Sequence, residues 1–168
     1  MKKIYLALLL HLGISFSSTA NDITTLRELY YKGAEDEMSA EKMVRLVEGL
    51  NEHSEPTLLG YKGMAFMLLS KHAFSPYSKL KYFKLGKGFL ETAIQHDPQN
   101  IELRYLRFSV QSHVPHILNY YSKMGEDKKI IMNGLLTCKD EKLKKDVILF
   151  MLNSGQCTDE EKIILKLK

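Results

Sequence analysis

The chain contains no tryptophan, only 4 prolines and only 2 cysteines in 168 residues. Scarce proline alongside 8 methionines argues against a turn-rich β-sandwich and for helices. Beyond the N-terminus, no apolar run approaches the roughly 18 residues of a membrane-crossing helix. Charge of one sign is also in short supply. The formal net charge of +4 falls to +2 once Lys2 and Lys3 are set aside, too little to point to nucleic acid. Reaction motifs are missing as well. There is no Gly-x-Ser-x-Gly and no His-Glu-x-x-His, and neither cysteine has a histidine close in sequence. Gly86-Lys87-Gly88 lacks the spacing of a phosphate loop, and no strand precedes it. With 45% hydrophobic and 26% charged residues, the composition excludes both disorder and a multi-span membrane protein.

The first 20 residues carry the layout of an export signal. Lys2 and Lys3 are followed by a mostly apolar stretch from Ile4 to Phe16, and Ser18 and Ala20 place small residues at −3 and −1 of a cut before Asn21. The stretch is too short for a bilayer span of roughly 20 residues, and the alternative to cleavage is an uncleaved N-terminal anchor. An exported mature chain, periplasmic or extracellular, is therefore expected, with about 148 residues forming a single domain over 21–168. A chain of that size buries about 70% of its unfolded surface and needs neither metal nor disulfide to fold. Cys138 and Cys157 stand on either side of Asp140–Asn153, which reads as one helix. Such a helix separates its ends by about 20 Å, against the roughly 7 Å between Cα atoms that a disulfide allows. Two free thiols are the expectation.

Helical periodicity runs through nearly every segment. Thr25 and Glu28 suggest a capping box at the start of a first helix. A second begins after Ser39, with Met43, Leu46, Val47 and Leu50 on its apolar side. Ser54-Glu55-Pro56 opens a third, apolar almost all round from Leu58 to Leu69 and hence the expected centre of the core. Ser75-Pro76 opens a long fourth running to about His96, with Leu80, Phe83, Leu90 and Ile94 in one stripe. A fifth spans Ile101 to about Ser112, and Pro115 starts a short sixth around Ile117–Tyr121. A seventh carries Ile130, Ile131 and Leu135, and Asp140 caps an eighth with Leu143, Val147, Phe150 and Met151. Thr158 to Glu161 is a capping box for a last short helix. The expected fold is all-α: eight or nine helices stacked as antiparallel hairpins.

Ala93-Ile94-Gln95-His96-Asp97-Pro98-Gln99-Asn100 resembles the end of a tetratricopeptide repeat and the turn into the next. Gly86 and Leu90 fall at the small and large positions of that repeat's second helix, and Leu59, Gly63 and Phe66 match its first. Lys62 departs from the pattern, and the segment is about 11 residues too long. The resemblance covers about a third of the mature chain. It implies a helix crossing close enough to need glycine, and a concave surface for a protein or peptide partner.

Two basic patterns stand out. Arg104 and Arg107 share a face of the strongly apolar fifth helix. They must either pair with carboxylates such as Glu91, Asp97 or Glu102, or form with Tyr105 and Gln111 a clamp for an anion. Lys81, Lys84 and Lys87 step by three along the fourth helix, as a solvated face or as a patch for an anionic partner or phospholipid headgroup. His113 and His116 could seed a zinc site, but Pro115 puts them on different elements. His53, His72 and His96 sit where imidazoles meet helix-end carbonyls. Glu126, Asp127, Lys128 and Lys129 read as ordinary surface charges. The resulting expectation is a non-enzymatic binding or scaffold module of the cell envelope, without cofactor or metal. The alternatives are a carrier of a small apolar ligand or lipid and, last, a metal-dependent enzyme.

Overall fold

The computed structural model describes residues 19–168, with side chains from Ile23 onward. The expected signal sequence lies outside the described residues, save for its last two positions. There are eight α-helices and one 3-10 turn, with no strand among the described residues. The helices are α1 (Thr19–Gly33), α2 (Glu37–Val47), α3 (Pro56–His72), α4 (Pro76–His96), α5 (Ile101–Gln111), α6 (Met124–Gly134), α7 (Glu141–Asn153) and α8 (Asp159–Lys166). They pack as consecutive hairpins, α1 on α2, α3 on α4, α5 on α6 and α7 on α8, with α3 also against α2 and α5. The all-α, stacked-hairpin expectation holds.

Local chemistry sets most boundaries. Ser75 accepts a bond from Ser78 N, and Asn100 accepts from Glu102 N and Leu103 N. Asp140 accepts from Leu143 N, and the Thr158–Glu161 capping box is complete. Other starts differ from expectation. α1 is already helical at Thr19, the first described residue, so Thr25 lies inside the helix and not at its start; no proline or glycine separates the two positions. α2 is capped by Asp36, whose carboxylate accepts from Met38 N and Ser39 N, three residues earlier than expected. Glu55 rather than Ser54 caps α3. The expected sixth helix shrinks to the 3-10 turn His116–Leu118, which Asn119 ends by adopting a left-handed backbone at φ 47°.

α3 is buried on most sides, as its composition requires, but α5 is more enclosed still. Every residue from Glu102 to Gln111 is buried, five of them polar or charged: Glu102, Arg104, Arg107, Ser109 and Gln111. α3 and α4 cross at Gly63 and Gly86. A Cβ on Gly86 would lie 2.5 Å from the Gly63 carbonyl oxygen, and one on Gly63 would lie 2.7 Å from that of Gly86. Only hydrogen side chains permit so close an approach, which is what the glycine spacing implied. Lys62 explains its own departure from apolar character. Its stem is buried and its ammonium donates to the carbonyls of Glu48 and Leu50 just past the end of α2, 4.9 Å from the Phe89 ring centre. His72 likewise meets the Gly33 carbonyl at 2.7 Å, sealing the end of α1 rather than that of its own helix.

Leu46 and Leu80 do not join the core. Leu46 is 53% exposed and Leu80 42%, although Met43, Val47, Phe83, Leu90 and Ile94 are buried as expected. Leu80 borders an open groove lined by α4 residues alone.

Candidate functional site

The two arginines of α5 are consumed inside the molecule. Asp127, in the first turn of α6, is fully buried. Its Oδ1 accepts from Arg104 Nη1 at 2.9 Å and Arg107 Nη2 at 2.7 Å, and its Oδ2 accepts from Arg107 Nε at 2.8 Å. Arg104 also donates to Glu126 and to the Pro98 carbonyl, and Arg107 to Glu91 on α4 at 2.7 Å. Tyr120 donates its hydroxyl to the other oxygen of Glu91. Each guanidinium therefore meets two carboxylates, and the anion clamp is corrected to a buried ionic joint between α4, α5 and α6. Burial opposes the charge on Arg107, but Asp127 outweighs it and holds the pKa above its ordinary value. Arg104 holds Glu126 below the usual carboxylate range.

Tyr105 and Gln111, expected to complete that clamp, do not. The Tyr105 hydroxyl lies 3.5 Å from that of Tyr31, and its ring packs edge-on against Phe150, on the α1 and α7 side of the helix. Gln111 is buried and its Oε1 has no hydrogen-bond partner among the described residues. Of the three carboxylates expected near the arginines, only Glu91 is a partner. Glu102 instead holds Arg27 of α1 through two bonds of 2.6 Å and accepts from Tyr61 of α3 at 2.6 Å. Arg27 also donates to Asp140, the cap of α7, at 2.7 Å. The Glu102 hydrogen bond is the main cause of the raised pKa of Arg27. A second ionic joint thus ties α1, α3, α5 and α7 together.

Asp127, expected at the surface, is fully buried, whereas Glu126 is exposed as expected and reaches Arg104 from the rim. The available signal was the demand created by two arginines on a buried helix, which carboxylates in the first turn of the next helix of the hairpin could meet.

The lysines of α4 present the opposite picture. Lys81 and Lys84 are exposed and make no hydrogen bond or ion pair among the described residues. With Tyr77, Leu80 and Leu85 they line an open groove of about 390 Å³. Lys87 is half-buried, its ammonium 4.8 Å from the centre of the Tyr120 ring, and so belongs to the packing around Glu91. Tyr77 is 79% exposed, and Phe74, in the turn between α3 and α4, is wholly exposed. From Pro56 to Leu90 the sequence holds six lysines and not one aspartate or glutamate. This outer face of α4 is the candidate functional surface.

The remaining candidates have structural partners. His113 Nδ1 lies 2.8 Å from the Ser109 carbonyl, while His116 packs against Tyr121. No group of three or more histidine, cysteine or acidic side chains is placed to hold a metal among the described residues. Cys138 and Cys157 are both free thiols, and burial raises the pKa of Cys157. A second open groove of about 490 Å³ lies between α2 and the start of α4, with Glu37 and Glu41 on one wall and Leu69 and Tyr82 on the other. Compared with known proteins, the chain matches no family model, no curated protein and no solved structure.

Proposed function

We propose that this is an exported, non-enzymatic binding or scaffold module, built of hairpins resembling tetratricopeptide repeats, that engages a negatively charged partner in the cell envelope through the outer face of α4. One observation carries the reading: lysines unpaired among the described residues and exposed large apolar side chains coincide on that face, where no described carboxylate answers them. Unpaired charge beside exposed apolar surface is what a docking face needs before its partner arrives. The arginines of α5, by contrast, are buried and each is already paired with two carboxylates.

The test is retention of tagged protein on the washed envelope of its own cells, comparing the native sequence with Lys81→Glu/Lys84→Glu. Retention that is lost in the double variant, with the helical circular-dichroism spectrum unchanged, is the expected result. Equal retention of both proteins, or of neither, removes the reading.

A further inference from the structure

We propose that the negatively charged partner is a phospholipid bilayer, on which the α3–α4 turn and the outer face of α4 dock directly. This rests on the functional reading above and names the chemistry of its partner.

The first support is the segregation of charge. The chain as a whole is only +4, yet the 35 residues from Pro56 to Leu90 contribute six lysines and no acid, so the remainder is net negative. Three of those lysines are spent inside or at helix ends: Lys62 on the carbonyls after α2, Lys71 on the Ala34 carbonyl, and Lys79 on the Lys71 carbonyl at 3.2 Å. Lys87 rests on Tyr120. Lys81 and Lys84, one turn apart and unpaired among the described residues, are left facing outward.

The second support is the kind of apolar surface beside them. At about 100° per residue, Tyr77, Leu80, Lys81, Lys84 and Leu85 fall within roughly 140° of the helix circumference, so lysine and apolar groups point the same way. Phe74 stands beyond them at the bend of the hairpin with its ring entirely in solvent. An aromatic ring and leucines that reach below the headgroups, with lysine stems bent back so that their ammoniums meet phosphate, is how a basic amphipathic face sits on a membrane.

A bilayer fits these features better than an acidic protein does. Protein–protein interface cores are depleted of lysine, and a ring projecting from a bend would need a dedicated pocket in a folded partner. A fluid surface accepts it anywhere. Glu37 and Glu41 of α2 flank the neighbouring groove, which also touches Phe74. They repel an anionic surface, so the approach is from the outer side of α4 and not across α2.

The experiment is flotation of purified protein with vesicles of phosphatidylcholine alone and of phosphatidylcholine mixed with phosphatidylglycerol. Binding is expected only to the second, falling as salt rises. Lys81→Ala/Lys84→Ala should weaken it about twenty-five-fold, at about fivefold per lysine near an anionic surface. Phe74→Ala should weaken it about tenfold. All three side chains are exposed, so the variants keep the native spectrum. Equal binding to both vesicle types, or binding that neither variant changes, overturns the proposal. If the protein ignores vesicles but its retention on envelopes still depends on Lys81 and Lys84, the bilayer is excluded while the binding module stands. Loss of that dependence as well would remove both.

Discussion

Arg104 and Arg107 on α5 and Lys81 and Lys84 on α4 repeat one pattern, two basic residues three apart, and the fold puts the pairs to opposite use. The arginines lie on the most enclosed helix, between the acidic first turn of α6 and Glu91 of α4. Their planar guanidiniums meet three carboxylates and a backbone carbonyl in fixed directions. The lysines lie exposed on α4, within a stretch that holds no acid at all. Spacing places charges on one face, but only the supply of opposite charge from neighbouring elements decides whether that face is a joint or a surface.

The largest effect should come from breaking the joint. Asp127→Ala leaves two buried guanidiniums without their shared partner, and removing one side of a buried ionic network costs about 3–5 kcal/mol. That is a large part of the roughly 5–15 kcal/mol that holds a domain folded. Urea denaturation should show the midpoint falling steeply; a loss below about 1 kcal/mol would mean that water replaces Asp127 and that the arginines are more accessible than their burial indicates.

Next in size is the α3–α4 crossing, which supports the outer face from behind. Gly86→Ala pushes a methyl to 2.5 Å from the Gly63 carbonyl and 2.7 Å from Met67 Cγ. Overpacking of this kind costs about 1–3 kcal/mol. Gly88, two residues on, has nothing within 4 Å of an added Cβ, so Gly88→Ala should instead stabilise α4 by up to about 1 kcal/mol. Thermal melts of the two variants should move in opposite directions. Shifts of the same sign would contradict the close crossing.

The glycine crossing also marks what was legible in the sequence. Gly63 and Gly86 were readable because a repeat-like pattern calls for small residues where two helices touch, and the caps at Ser75, Asp140 and Thr158 were readable because they are local chemistry. Helix number and stacking followed from periodicity and short turns. The pairings were not legible. Arg27 finds Glu102 across 75 residues and Arg104 finds Asp127 across 23, and no local rule links them. Leu80 was misplaced for the same reason: periodicity orients a helix but does not say where along its length neighbours cease to cover it. The candidate surface was half visible, as the lysine stripe. Its aromatic end at Phe74 and the division of Lys87 from Lys81 and Lys84 required the packing of Tyr120.

A smaller effect separates the second joint from simple capping. Asp140 is held below the usual carboxylate range, first by the Leu143 N–H and then by Arg27. A lowered folded-state pKa contributes stability that is present above the unfolded value, about 3.9, and is lost as the pH falls through the folded one. Asp140→Asn keeps an oxygen to cap α7 but removes the charge facing Arg27. The variant should be less stable than the native chain at neutral pH, and the gap should close on acidification below about pH 4. A gap that does not change with pH would show that Asp140 acts through its cap bond alone.

The smallest effects bear most directly on the candidate surface, because they divide a stripe that spacing treats as one. Lys87 touches the Tyr120 ring, and such a contact is worth about 0.5–1 kcal/mol when partly exposed. Lys81 and Lys84 have no partner among the described residues, so replacing either with alanine should change stability by no more than about 0.5 kcal/mol in either direction. Denaturation curves of the three single variants should therefore place Lys87 with the core and the other two apart from it. Binding should sort them in reverse, with Lys81→Ala and Lys84→Ala losing affinity for the anionic partner at unchanged stability. If Lys87→Ala proves stability-neutral and equally damaging to binding, the docking face extends over Tyr120 towards Glu91, and its boundary with the buried joint lies one helical turn further along α4.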